Sequence, residues 1–214
     1  MKALAESTSH RVRLSPAADV SPLQEAYEAL VAENDALKSE LAELRTFRAL
    51  AYRDPLTGLW NRRYFDERLT EEISRARRKL DYTFSLILID VNDLKVVNDE
   101  EGHAAGDDLL RWVSRFLQTI TRAHDLVCRL GGDEFGIILP DCNATQTQAV
   151  QGRLRDALEE ENSYRPRHVG MSLGAATCPD GGLLAEALLR ASDAAMYADK
   201  RRQKAGRSLA ASRR

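Results

Sequence analysis

Leucines recur every seven residues near the start of the chain, at Leu23, Leu30, Leu37 and Leu44. Set at position d of a heptad, they put Tyr27, Asn34, Leu41 and Arg48 at position a. That 4-3 alternation runs for about four heptads and predicts a coiled-coil dimerisation helix over residues 21–51. Ser21 is placed to cap the helix and Pro22 to occupy its first position. The outer face is charged (Glu33, Asp35, Lys38, Glu40, Glu43, Arg45), and the apolar stripe is narrower than a core-facing helix needs. Asn34 at an a position favours a parallel, in-register dimer at some loss of stability. The alternative is a single amphipathic helix packed on its own domain. Residues 1–20 show no period and read as a flexible arm.

Asp54-Pro55 and Gly58 break the helix. Asn61 then caps a predicted helix to about Lys79, with Tyr64, Phe65, Leu69, Ile73 and Ala76 on its apolar side. Thr83 to Asp90 is a near-continuous apolar run, the mark of a buried central strand ended by an acid. A helical stretch follows through Asp99, then a turn at Gly102 and an amphipathic helix from Ala104 to about Arg122. Short apolar runs at 125–130 and 135–139 flank Gly131-Gly132, which permits a tight hairpin. A helix from Asn143 to about Asn162, a strand over 168–176 and a last helix from Leu183 to about Gln203 complete the order. Gly170 and Gly174 weigh against a regular strand there. The succession contains βαββαβ, so the expected fold is α+β and ferredoxin-like. Residues 207–214 read as a basic, disordered tail.

At 214 residues the chain has room for one domain of about 150 and an appendage. It is 43% hydrophobic and 30% charged, ordinary for a globular protein. A net charge of -2 argues against a general nucleic-acid binder. Cys128, Cys142 and Cys178 are scattered and suit a reducing compartment. No apolar run of about 18 residues suggests a membrane span, and the start lacks a signal-peptide core. The expected location is the cytoplasm.

The chemistry gathers at the hairpin. Asp133 and Glu134 are adjacent carboxylates at the start of a strand, where acids are depleted and repel each other. A cation at the tip would remove that repulsion; a solvated turn is the plainer alternative. Asp90, ending the neighbouring strand, could add a third carboxylate, and hard divalent cations prefer such oxygens.

Gly131-Gly-Asp-Glu-Phe135 does not stand alone. Asp54-Pro-Leu-Thr-Gly-Leu59 with Asn61-Arg62-Arg63, Asp90-Val-Asn-Asp-Leu-Lys95 with Asn98-Asp99, Gly102-His103 with Gly106-Asp107, and Met196-Tyr-Ala-Asp-Lys200 follow in order. Together they resemble the GGDEF family, the diguanylate cyclases, over a domain of residues 52–206. The resemblance implies a nucleotidyl-cyclase, palm-type domain that joins two GTP into cyclic di-GMP and releases two pyrophosphates. It implies Mg²⁺ (or Mn²⁺) held by Asp90, the Val91 carbonyl, Asp133 and Glu134, with Asp133, Glu134 and Lys95 catalytic. Asn98 and Asp107 correspond to guanine readers, and Lys95, Lys200 and Lys204 to phosphate binders. Arg122 and Asp125 match an inhibitory RxxD product site, with Arg153 a weaker candidate for it. Asn92, Leu94 and Gln203-Lys204 depart from the family's usual Asp, Phe and Gly-Arg; a lysine gives up bidentate geometry. One GTP per domain implies a homodimer, formed through residues 21–51. The alternatives are a silent domain that senses cyclic di-GMP, and a coiled coil that does the work on an inert scaffold.

Overall fold

The computed structural model describes residues 21–211, so the expected arm over 1–20 lies outside the described residues. The chain divides into two units, Met1–Phe47 and Arg48–Arg214. Helix α1 (Ser21–Tyr52) supplies the described part of the first. Its a and d side chains Leu23, Tyr27, Leu30, Leu37, Leu41 and Leu44 are all exposed. A sustained apolar stripe left in solvent by a single chain is what a partner helix would cover.

The second unit is built on a four-stranded sheet of β1 (Phe84–Asn92), β2 (Leu126–Gly131), β3 (Glu134–Pro140) and β4 (Gly170–Cys178). Its order is β2-β3-β1-β4, and every neighbouring pair is antiparallel. This is the ferredoxin-like arrangement that βαββαβ predicts. Strand β1 is central because its apolar run has two faces to bury. Ile87, Ile89 and Val91 pack with Leu110, Val113 and Leu117 of α4 (His103–Ile120) and Leu154 of α5 (Ala144–Ser163). Leu86 and Leu88 pack on the other face with Phe65, Leu69 and Ile73 of α2 (Arg62–Arg78) and Leu188 of α6 (Ala185–Ala211). Each such side chain contributes about 1.5–3 kcal/mol on burial.

Local signals explain the boundaries. The Asn61 side chain accepts from the Tyr64 N–H at 3.1 Å and starts α2. Asn143 and Gln146 form a reciprocal capping box that starts α5. Gly102, at φ 87°, separates α3 (Leu94–Glu101) from α4. Three features differ from expectation. Strand β1 runs two residues past Asp90, to Asn92, because β4 pairs with it through Asn92↔Gly170. Helix α6 continues to Ala211, through part of the stretch expected as a tail. Strand β4 is regular despite Gly174: a Cβ there would meet Ser192 O at 2.0 Å and Met196 N at 2.1 Å. The glycine lets the backbones of β4 and α6 touch.

Glu72 is buried in α2, where it accepts from the Tyr82 hydroxyl and pairs with Arg68 at 3.0 Å and Arg75 at 3.5 Å. Burial, then the bond to Glu72, pushes the Tyr82 hydroxyl up to about 12. The group ties α2 to the loop that enters β1.

Candidate active site

The hairpin between β2 and β3 is closed by Gly132 and Asp133, with Gly131 paired to Glu134 across the turn. Gly132 sits at φ 31°, where a side chain is strained. The turn is anchored from both sides. The Asp133 carbonyl accepts from the Val91 N–H at 2.9 Å, so Val91 and Asp133 are held together by main chain. Arg129 Nη2 donates to the Gly132 carbonyl at 2.8 Å, and its Nη1 donates to Asp54 at 3.1 Å and 3.3 Å. Asp54 also accepts from the Thr57 N–H at 2.9 Å and hydroxyl at 2.7 Å. Burial alone would raise its carboxyl, but the Thr57 and Arg129 donors outweigh that and hold it below the usual range.

The Asp54-Thr57 motif therefore braces the hairpin as well as linking α1 to α2. Asn61 does the joining, with Nδ2 donating to Ala51 O at 2.9 Å and its N–H to Tyr52 O at 2.8 Å. Asp54 reaches the hairpin through Arg129, which the motif reading did not single out. The available signal was an arginine inside the otherwise apolar run of β2.

Asp90 and Glu134 are cross-strand partners on β1 and β3, which sets their side chains on one face of the sheet, about 5 Å apart at Cβ. Lys200 of α6 donates to both oxygens of Asp90, at 2.7 Å and 2.8 Å. Among the described residues no three acid, histidine or cysteine side chains close into a ready-made metal cage. The donor set still fits a hard divalent ion. Asp90 and Glu134 present carboxylates at one strand end, beside the main chain of Val91 and Asp133, and Mg²⁺ takes one or two carboxylates and completes its shell with water and phosphate.

Asn98 lies against Gly106, the residue before Asp107. A Cβ on Gly106 would lie 1.9 Å from Asn98 Oδ1, so the glycine allows the Asn98 amide of α3 to lie against the start of α4. Asp107 is 4.0 Å from Arg111 and half-exposed. Lys95, at the second position of α3, is exposed, and so is Lys204.

Helix α6 is fixed by a buried acid that the sequence reading passed over. Asp199 accepts from the Leu173 N–H at 3.0 Å and Gln203 Nε2 at 3.0 Å, and pairs with Arg155 and Arg202, each at 3.3 Å. Burial pushes its carboxyl up, yet the Leu173 N–H and Arg155 prevail and it lies below the usual range. Gln203 also receives Asn92 Nδ2 at 3.0 Å. Two positions that depart from the family's pattern thus bind each other.

Arg122 and Asp125 share a cavity of about 560 Å³ beside β2. Asp125 is fixed there by the Arg122 N–H, which donates to its carboxylate at 2.7 Å. Arg153 is exposed on α5 and does not line that cavity.

Residues 51–206 match the family model described as "Diguanylate cyclase, GGDEF domain". The chain is 32% identical over 162 residues to probable diguanylate cyclase DgcT of Escherichia coli K12, covering 73% of this chain and 35% of that protein. It is also 32% identical over 176 residues to cyclic di-GMP phosphodiesterase PdeB of Shewanella oneidensis, covering 79% of this chain and 19% of PdeB. The chain thus spans about a third or less of these curated relatives. Among solved structures, the coiled coil and GGDEF domain of DgcB from Caulobacter crescentus, in complex with c-di-GMP, superposes with a TM-score of 0.70. That match has 28% identity and covers 82% of this chain and 95% of the DgcB chain.

Proposed function

The chain belongs to the GGDEF-domain, diguanylate cyclase family, and from that premise we propose that it condenses two GTP into cyclic di-GMP with release of two pyrophosphates. The observation that carries the proposal is the meeting of Asp90, Val91, Asp133, Glu134 and Lys200 at one end of the sheet. Asp90, the Val91 carbonyl, Asp133 and Glu134 would hold Mg²⁺ or Mn²⁺, which supplies triphosphate neutralisation and activation of the 3′-hydroxyl. Glu134, on the same face as Asp90, also orients that hydroxyl. Lys95, Lys200 and Lys204 neutralise phosphate, Lys204 as a point charge rather than a fork. Asn98 and Asp107 read guanine: a carboxylate accepts from N1–H and N2–H₂ together, an edge that adenine lacks. Product returns to Arg122 and Asp125 and inhibits. The reaction belongs in the cytoplasm, where GTP is kept.

Incubating the purified chain with GTP and Mg²⁺ and identifying the product by mass tests the reading directly. ATP is expected to be a poor substrate. Asp107→Ala is expected to weaken GTP by about 1–3 kcal/mol, the penalty for leaving a hydrogen-bonding partner unsatisfied. Comparable GTP and ATP rates in the parent would remove Asn98 and Asp107 from the site.

Each domain carries one GTP, so two must face each other, and the exposed heptad stripe of α1 supports a homodimer through residues 21–51. A short tether raises local concentration to the mM range. Asn34→Leu is expected to stabilise the helix and admit other registers or oligomers, with lower or heterogeneous activity. Specific activity against protein concentration, with mass by light scattering, checks this. If a chain starting at Tyr52 equals the full one at nanomolar protein, the coiled coil is not what pairs the sites. The match to PdeB favours a second reading, a silent domain that only senses cyclic di-GMP. Tight binding of that dinucleotide with no turnover of GTP would select it.

A further inference from the structure

The cavity that holds Arg122 and Asp125 has a second pair of side chains in its wall, and the RxxD motif includes neither. They are Arg53 and Trp60. The Arg53 guanidinium lies 3.3 Å from the centroid of the Trp60 ring. At that separation it can only lie flat on the indole, since an edge-on approach would drive its N–H groups into the ring. Both partners are held in place. Trp60 stacks on Tyr64 with 3.9 Å between centroids, and its carbonyl accepts from the Arg129 N–H at 2.8 Å. Arg53 Nη1 donates to the Gly58 carbonyl at 3.1 Å. The pair is a rigid, planar cation in the wall of a cavity whose other charged groups are Arg122 and the fixed Asp125 carboxylate, with Gln118 and Thr121 beside them.

A cyclic purine dinucleotide has more to satisfy than Arg122 and Asp125 can reach. It carries two bases and two phosphodiesters, while one arginine and one carboxylate serve the edge of a single guanine. Purines stack on aromatic and guanidinium planes, and Arg adds a cation–π contribution. One of Arg53's donors is already taken by Gly58, so what it presents is mainly a face. We propose that Arg53, laid flat by Trp60, is the stacking platform for a purine of the cyclic dinucleotide at this site. The proposal rests on the reading of Arg122 and Asp125 as the product site and adds a recognition residue to it. A product held here touches Arg53, which directly follows the last residue of α1.

Calorimetric titration of the full chain with cyclic di-GMP gives the Kd. Emission in a Trp112→Phe background, where Trp60 is the one tryptophan left, reports where the ligand sits. The parent is expected to bind with Trp60 quenched, and Arg122→Ala to lose binding. Arg53→Ala is expected to weaken binding about five- to 150-fold, the range of one base stack. Arg53→Lys keeps the charge and loses the plane, so it is expected to weaken binding as well. Should Arg53→Ala not fold, Arg53→Lys and Arg53→Gln carry the comparison, with thermal midpoints recorded for each. Parent-like affinity in the folded Arg53 variants, with binding lost in Arg122→Ala, overturns the platform and leaves the product site standing. An Arg53→Lys chain equal to the parent assigns Arg53 to charge alone and also overturns it. Undiminished binding in Arg122→Ala removes the product-site reading itself.

Discussion

Asp133→Ala is expected to lower cyclic di-GMP synthesis about a thousandfold and leave the fold intact. A bound cation stabilises transition-state charge by several kcal/mol, and each 1.4 kcal/mol is about tenfold in rate. Loss of a ligand that supplies most of that effect removes roughly three decades. The fold is spared because the turn is anchored by main chain: the Asp133 carbonyl on the Val91 N–H, and the Gly132 carbonyl on Arg129. Neither contact uses the carboxylate. Its removal also relieves repulsion with Glu134 in the metal-free protein. Chromatographic product assay at saturating Mg²⁺, beside urea unfolding, separates the two effects. Full activity would sink the metal assignment, and a large loss of stability would contradict the role given to the main chain.

The largest expected effect on stability is at a residue with no polar chemistry. Gly174→Ala puts a Cβ 2.0 Å from Ser192 O, 2.1 Å from Met196 N and 2.7 Å from Met196 Cα. These are backbone atoms of α6 and have no rotamer to escape into. The helix has to lift from the sheet, at a cost of about 3 kcal/mol, the upper end for overpacking. Lys200 moves with it and away from Asp90, so synthesis is expected to fall as well. Urea unfolding reads the first effect and turnover the second. A change under about 1 kcal/mol would mean that α6 is not seated by this contact.

Sheet and helices were legible because the chain states them locally. The run ending at Asp90 has the near-continuous apolar character of a strand buried on both faces, and it lies inside the sheet. The heptad leucines kept their register along α1 and their exposure. What the sequence concealed depends on distant partners. Arg129 is a lone charge in the apolar run of β2, and its partner Asp54 lies 75 residues earlier. Asn92 and Gln203 read as separate departures from a family pattern, yet they are hydrogen-bonded across 111 residues. Asp199 stood inside a helical motif with no hint that the Leu173 N–H needed an acceptor there. Gly174 suggested a weak strand because a sequence cannot show that a helix backbone lies against it. The short-range pattern specifies elements, whereas the fine placement of the site comes from pairs that only the fold brings together.

The ammonium on both oxygens of Asp90 has a thermodynamic consequence. A cation tethered to the same chain cannot be diluted away, so any ion seeking Asp90 competes with an effective concentration fixed by the fold. An anion that draws Lys200 off therefore raises the affinity of Asp90 for a cation. Linkage requires the cation to raise the affinity for that anion by the same factor. The two charges are thus taken up as a mutually reinforcing pair, and without them Lys200 neutralises Asp90.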